Sequence, residues 1–199
     1  TGIFPHPYFF FPEYDYAIIQ LDHPTTDIKP VAIDTFDISN QFTKGKDLFV
    51  AGFGTTNPIL GSMPETLQQT MLEYLTNEEC SQTWEMVTTM PFDISDSMMC
   101  ADRQGVSGCY GDSGGPLYDR ESQTLVGIVS GGSPGCNIFT LPNFFARVSH
   151  VKDWIISTIC SNVAVDSELC TNNSNPSLRP LLSPPTTKPR GTAPPTIKP

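Results

Sequence analysis

Seven consecutive residues constrain this chain more than any others. They are Gly111-Asp112-Ser113-Gly114-Gly115-Pro116-Leu117, set between Cys109-Tyr110 and the apolar run Leu125-Val126-Gly127-Ile128-Val129. Glycine tolerates turn geometries and close backbone approach that other residues resist. A serine among three glycines therefore sits on a tight loop whose amides can close on the carbonyl its hydroxyl attacks. A bare Gly-x-Ser-x-Gly pattern fits an ordinary hairpin turn equally well, so the neighbouring segments have to decide.

Composition sets the outer limits. The 199 residues with 38% hydrophobic content can bury one sizeable core, or two small ones side by side. A net charge of -10 and a pI near 4.5 argue against nucleic-acid or anionic-membrane binding, which needs a basic footprint. No apolar run approaches the roughly 20 residues required to span a bilayer, and no signal peptide opens the chain. Six cysteines nevertheless suit an oxidising, secreted setting, so the natural start is expected upstream of Thr1. No repeat or metal-ligand cluster is present, and no cofactor is expected.

Taken in order, Phe4 to Pro12 is aromatic and proline-punctuated and reads as loop. Asp15 then precedes Tyr16-Ala17-Ile18-Ile19-Gln20-Leu21, a short β-branched run that predicts a buried strand. By itself such an aspartate is as well explained as a turn former. Asp22 to Lys46 is polar and turn-rich, broken by Pro24, Pro30 and Gly45, with a brief apolar Val31-Ala32-Ile33. Leu48 to Gly54 and Leu67 to Leu75 read as strands. Thr76-Asn77-Glu78-Glu79 has the spacing of a capping box and predicts a short helix through Trp84. Ser149 is placed as N-cap of a last helix whose stripe is Val151, Trp154, Ile155 and Ile159. Asp119 to Glu121 reads as a solvated turn. Past Asn172 the composition turns to Pro, Thr and Ser, which predicts an extended, disordered tail, and Asn172-Asn173-Ser174 is a glycosylation sequon if the chain is secreted.

A nucleophilic serine needs a base. His6 lies in a His6-Pro7-Tyr8 loop, His23 follows the first strand and His150 lies near the final helix. All three read as structural or solvent-facing.

Gly-Asp-Ser-Gly-Gly-Pro-Leu, the Asp15-Tyr16-Ala17-Ile18-Ile19-Gln20-Leu21 segment, Gly52-Phe53-Gly54, Ser130-Gly131-Gly132 and the terminal helix together resemble the chymotrypsin-like serine proteases, in family order, over about residues 5 to 160. The resemblance implies an all-β fold of two antiparallel Greek-key barrels, the first incomplete here, with a short intermediate helix and a carboxy-terminal helix. Residues 1–160 are then a protease domain without its amino-terminal part, 161–174 an extension and 175–199 the tail. Strands left without neighbours would make these residues an incomplete folding unit.

Carried over residue by residue, the resemblance makes Ser113 the nucleophile and Asp15 the carboxylate that orients a histidine. Gly111 and Ser113 supply oxyanion amides, and Asp112 pairs with a freshly cut amino terminus, implying a zymogen. The family's histidine sits upstream of the aspartate in an Ala-Ala-His-Cys context, and no residue here matches it. The fragment is therefore expected to be nearly inert: losing the base costs about 10⁶-fold, against roughly 10²–10³-fold for each oxyanion donor.

Ser107 is matched to the pocket floor, with Gly108 beside it. A neutral floor disfavours arginine or lysine and points to an apolar or aromatic residue. Ser130, Gly131 and Gly132 match the substrate-binding strand, with Gly131 where relatives have an aromatic residue. Asn143 stands where they usually have glycine. The resemblance pairs Cys80 with Cys100 and Cys109 with Cys136. Cys160 and Cys170 pair with each other or with upstream cysteines. The relatives' bridge at the Leu48 position is missing, its counterparts here being Leu48 and Asp119. A polypeptide is the implied substrate, and protein inhibitors are the other class of partner. The competing function is a non-catalytic protease homologue acting as a binding or regulatory protein, which would have no need of Ser113, Asp15 and the oxyanion glycines together.

Overall fold

The computed structural model describes residues 2–25, 27–57, 59–136, 141–162 and 170. The Asn172 sequon, the 175–199 tail and most of the 161–174 extension lie outside these residues. No helix among the described residues is long and apolar enough to cross a membrane.

Six strands close into one antiparallel barrel. In chain order they are β4 (Asp47–Gly52), β5 (Gln68–Leu75), β6 (Met98–Asp102), β7 (Pro116–Asp119), β8 (Thr124–Gly131) and β9 (Asn143–Arg147). Neighbours run β8-β7-β4-β5-β6-β9, and a β8–β9 pairing seals the ring. Closure removes the exposed edges that an open sheet would present. Alternate side chains along each strand point inward: Leu48, Val50, Leu72, Tyr74, Met99, Leu117, Val126 and Phe145 fill the interior. Leu48 is fully buried, a contribution of about 1.5–3 kcal/mol for a side chain of its kind. At the missing bridge, then, Leu48 packs the core. Asp119 corrects its reading as a solvated turn: it is buried, its carboxylate 3.2 Å from Lys46 Nζ and accepting the Glu121 and Ser122 amides.

The first barrel is represented by two strands, β1 (Gly2–Pro5) and β2 (Ala17–Gln20), paired antiparallel from Gly2↔Gln20 to Pro5↔Ala17. Part of the segment expected to be loop is thus strand. β2 supplies its ladder, and Pro5 stands at the end, where a missing N–H is tolerated. The apolar Val31-Ala32-Ile33 likewise forms a two-residue strand, β3 (Ala32–Ile33), parallel to β8.

Helix α1 (Asn77–Thr88) carries the expected capping box, with Thr76 Oγ1 accepting from the Glu79 amide at 3.2 Å. Such a cap stabilises by about 0.5–2 kcal/mol. The helix runs one turn past Trp84 and stops at Thr89 in left-handed backbone, φ 56. Cys80, Trp84, Ile94, Met98, Leu141 and Phe144 form a second core between α1 and the barrel. A third core, Tyr16, Ala146 and Val151, joins the β1–β2 unit to helix α2 (Lys152–Asn162). Ser149 is not the cap of α2. A 3-10 turn over Val148–Val151 leads into the helix, and Ser149 is buried with its hydroxyl 3.0 Å from that of Ser39.

Candidate active site

Three constructions bring distant residues to one end of the barrel. The first presents Asp15. Tyr14 adopts left-handed backbone, φ 51, and the Tyr16 amide donates to Tyr14 O at 2.9 Å, so Asp15 occupies the apex of a three-residue turn. Tyr16 anchors that turn: its buried phenol shares one hydrogen between Ser97 O at 2.7 Å and Arg147 O at 2.8 Å. Burial pushes this phenol well above its ordinary range, only partly opposed by Arg147. Glu13 pins the other side, accepting from the hydroxyls of Ser95 and Ser97.

The second construction holds Asp15 from the barrel. On β8 the pairing to β9 runs Val129↔Phe145 and then Gly131↔Phe144, leaving Ser130 as the extra residue of a bulge. Bulges turn a side chain away from the regular pleat. Here the Ser130 hydroxyl donates to Asp15 Oδ2 at 2.7 Å, across a sequence separation of 115 residues. The sequence assigned Ser130 to the substrate strand, and its hold on Asp15 had no local signal.

The third construction is the serine loop. Gly114 N donates to Val129 O and Val129 N to Gly115 O, both at 2.9 Å, which lashes the loop to β8 one residue before Ser130. Ser113 is exposed at its tip. Asp112 faces inward: Oδ1 accepts the Gly54 amide at 2.8 Å and Oδ2 the Cys109 amide at 2.9 Å. A Cβ on Gly54 would lie 2.4 Å from the Asp112 carboxyl carbon, so the Gly52-Phe53-Gly54 segment is the bed on which this carboxylate rests. Among the described residues, the amides of Gly111 and Ser113 donate to no acceptor.

Ser113, Gly108, Ser130, Gly131, Gly132 and Asn143 all line one cavity of about 430 Å³. Ser107 does not. It lines a second cavity of about 250 Å³ with Asp112, Gly52 and Gly54. The partition is Asn143, buried at 5% exposure, whose Oδ1 accepts the Gly108 amide at 2.9 Å. On the opposite side, a Cβ on Gly132 would stand 2.1 Å from Asn143 Nδ2. The carboxamide thus fills the space between Gly108 and Gly132 that would lead to Ser107. Phe11, Trp84, Phe92 and Phe144 also line the larger cavity. None of these four was singled out from the sequence, although Gly131 in an aromatic's place was the available clue.

Among the described residues, no histidine is hydrogen-bonded to Asp15 or Ser113. His6 is buried in an aromatic box, stacked on Tyr14 at 4.8 Å and edge-on to Trp154 at 4.7 Å, and its Nδ1 accepts the Tyr8 amide. Burial, and secondarily His150, lower its pKa. His23 and His150 are exposed. Three disulfides are formed, Cys80–Cys100, Cys109–Cys136 and Cys160–Cys170. Among the described residues, no group of three or more His, Cys, Asp or Glu side chains could hold a metal ion.

Comparison with known proteins agrees with this arrangement. Residues 1–155 match the family model described as Trypsin. The chain is 30% identical to human Kallikrein-11 over 173 residues, covering 81% of this chain and 57% of that protein. It is 32% identical to Trypsin alpha of Drosophila erecta over 147 residues, covering 72% and 54%. The chain therefore spans little more than half the length of these relatives. Among solved structures it is similar to neuropsin, a serine protease expressed in the limbic system of mouse brain, with a TM-score of 0.68 and 25% identity over 80% of this chain and 70% of that one. With the barrel, the Asp15–Ser130 contact and the glycine-bedded serine loop, these matches establish that the chain belongs to the trypsin family of serine proteases.

Proposed function

We propose that the protein is a secreted serine endopeptidase that cleaves polypeptides through an acyl-enzyme on Ser113. The observation that carries this reading is the linkage of Ser113, through Gly114 and β8, to Ser130 and hence to Asp15. In this mechanism Ser113 Oγ attacks the scissile carbonyl while a histidine takes its proton and later returns it to the leaving amine. Asp15 holds that histidine's tautomer, and the Gly111 and Ser113 amides receive the oxyanion. Water then releases the acyl group by the same steps. The base in this mechanism is a histidine other than His6, His23 and His150, none of which matches the family's upstream histidine context. The three disulfides support an oxidising, extracellular setting, in which Asn172 is a site for glycosylation and protein inhibitors have access to the cleft.

Asp112 supplies the activation step. Its carboxylate lines the 250 Å³ cavity, where a new amino terminus produced by upstream cleavage would pair with it and fix the oxyanion loop. Precursor that hydrolyses peptides at full rate without processing would end this part of the reading.

The test is hydrolysis of a mixed peptide library by the full-length protein, with Ser113→Ala as control. New amino termini that vanish in the variant support the enzyme. No hydrolysis, together with an upstream segment whose histidine is replaced, moves the protein to a non-catalytic homologue that binds partners.

A further inference from the structure

Gly111 stands between two anchored neighbours in the serine loop. Before it, Tyr110 O accepts the Thr55 amide at 2.8 Å. After it, the Asp112 carboxylate accepts the amides of Gly54 and Cys109. The Gly111 amide itself donates to no acceptor among the described residues. Its φ of 97 lies in the left-handed region, so the direction of that amide is set by the neighbouring peptides and by packing.

The packing comes from two stems of one reverse turn. A Cβ on Gly111 would stand 3.2 Å from Gly54 Cα and 3.3 Å from Met63 Cε. Between Gly54 and Met63 the chain folds back on itself: Thr56 N donates to Ser62 O at 3.1 Å and Gly61 N to Asn57 O at 2.8 Å. Asn57 Oδ1 also accepts the amides of Ile59 and Leu60. Met63, the residue after Ser62, is thereby brought against Gly111. One support is rigid main chain; the other is the methyl at the end of a flexible thioether.

These two supports differ in chemistry. Met63 is 63% exposed and open to dissolved oxidant, whereas Met98 and Met99 are wholly buried. Oxidation turns a methionine from an apolar side chain into a polar, chiral one. A sulfoxide draws the end of the side chain toward water and away from the carbon atoms on which the methyl rests.

We propose that Met63 is a peroxide-sensitive modification site that governs the serine loop: its methyl positions Gly111, and its oxidation releases Gly111 and slows catalysis at Ser113. In the step, the thioether sulfur gives an electron pair to the O–O bond of hydrogen peroxide and keeps one oxygen. The other oxygen leaves with both protons as water. Met63 is a positioning residue here, and the effect on catalysis rests on the endopeptidase reading.

The test treats ¹⁵N-labelled full-length processed protein with graded hydrogen peroxide. Peptide mass spectrometry follows each methionine, amide spectra follow Gly111, and hydrolysis of a cleaved library peptide gives kcat and KM. Oxidation at Met63 should shift the Gly111 amide and lower kcat about tenfold with KM little changed, below the roughly 10²–10³-fold that loss of a whole oxyanion donor costs. Methionine sulfoxide reductase should reverse both effects. Met63→Leu keeps an apolar contact of similar volume without the sulfur, so its treated and untreated rates should agree. Met86→Leu, at a position on α1 that is 79% exposed, should remain as sensitive as wild type. An unmoved Gly111 amide in protein oxidised at Met63, or an equal loss in Met63→Leu, would overturn the proposal. Steady hydrolysis by protein oxidised at Met63 would overturn it too and leave the protease reading standing. A shifted amide in a protein whose wild type hydrolyses nothing would sustain the modification site and its hold on Gly111 while removing the protease reading.

Discussion

Replacing Gly132 with alanine tests the partition that shapes the substrate cavity. The new Cβ would meet Asn143 Nδ2 at 2.1 Å and its Cγ at 3.2 Å. The carboxamide has to swing away, and in doing so it releases the Gly108 amide that it accepts at 2.9 Å. Asn143 is nearly buried and lies between β6 and β8, so the carboxamide has to move into the cavity of about 430 Å³ that it lines. Overpacking of this kind costs about 1–3 kcal/mol. A donor stripped of its partner adds about 1–3 kcal/mol when fully buried. Gly108 is only half-buried, so water recovers part of that second cost. The expected total is about 2–4 kcal/mol.

Urea unfolding with disulfides intact, read by near-UV circular dichroism, should show the loss as a lower midpoint at unchanged slope. Asn143→Ala provides the second arm of a cycle, because it removes the obstructing atoms and makes room for the new methyl. Gly132→Ala should then be close to neutral in the Asn143→Ala background, giving a coupling of about 2 kcal/mol, far beyond the ~0.3–0.5 kcal/mol scatter of independent sites. Additive costs would show that the two residues do not share the space, and the reasoning about the closed route to Ser107 would fail with them.

Three further outcomes follow from the same geometry. Ser130→Ala removes the donor 2.7 Å from Asp15; kcat/KM of the full-length enzyme should fall about ten- to a hundredfold with KM little changed, in line with one hydrogen bond to a charged group, and unchanged kcat would contradict it. Burial lowers the His6 pKa, so the folded state favours the neutral ring while the unfolded chain takes up a proton near 6.5. Its contribution is therefore complete above pH 6.5 and declines as pH falls below it, and thermal melts at pH 7.5 and 5 should show a smaller acid loss in His6→Asn than in wild type. Tyr16→Phe should cost about 1 kcal/mol in urea unfolding, the low end for a buried hydroxyl, because Ser97 O retains the Arg147 amide at 2.9 Å.

What the sequence made legible is local chemistry. The Thr76–Glu79 capping box needs only four residues to be recognised, and the serine loop only seven. The barrel strands announce themselves by alternating inward residues such as Leu48 and Val50. What escaped depends on partners far along the chain. Gly2–Pro5 is strand because Ala17–Gln20 lies beside it, and Ala32–Ile33 because β8 does. Ser149 has the composition of a cap, yet a serine 110 residues away engages its hydroxyl. The bulge that turns Ser130 to Asp15 is a mismatch in register between two strands, and neither strand encodes it alone. The same holds for the site. Ser113, Gly108 and Asn143 line one cavity, whereas Ser107 lies on the other side of the Asn143 carboxamide, and nothing local in the sequence shows that partition.

The central claim is that Ser113 is an activated nucleophile rather than a residue of a tight turn. Full-length processed protein, treated with a fluorophosphonate and digested, reports this directly by mass spectrometry. The expected result is one adduct on the peptide containing Gly111-Asp112-Ser113-Gly114-Gly115, lost in Ser113→Ala and strongly slowed in Asp15→Asn. An unlabelled Ser113 in the processed protein, or labelling indifferent to Asp15, would contradict it.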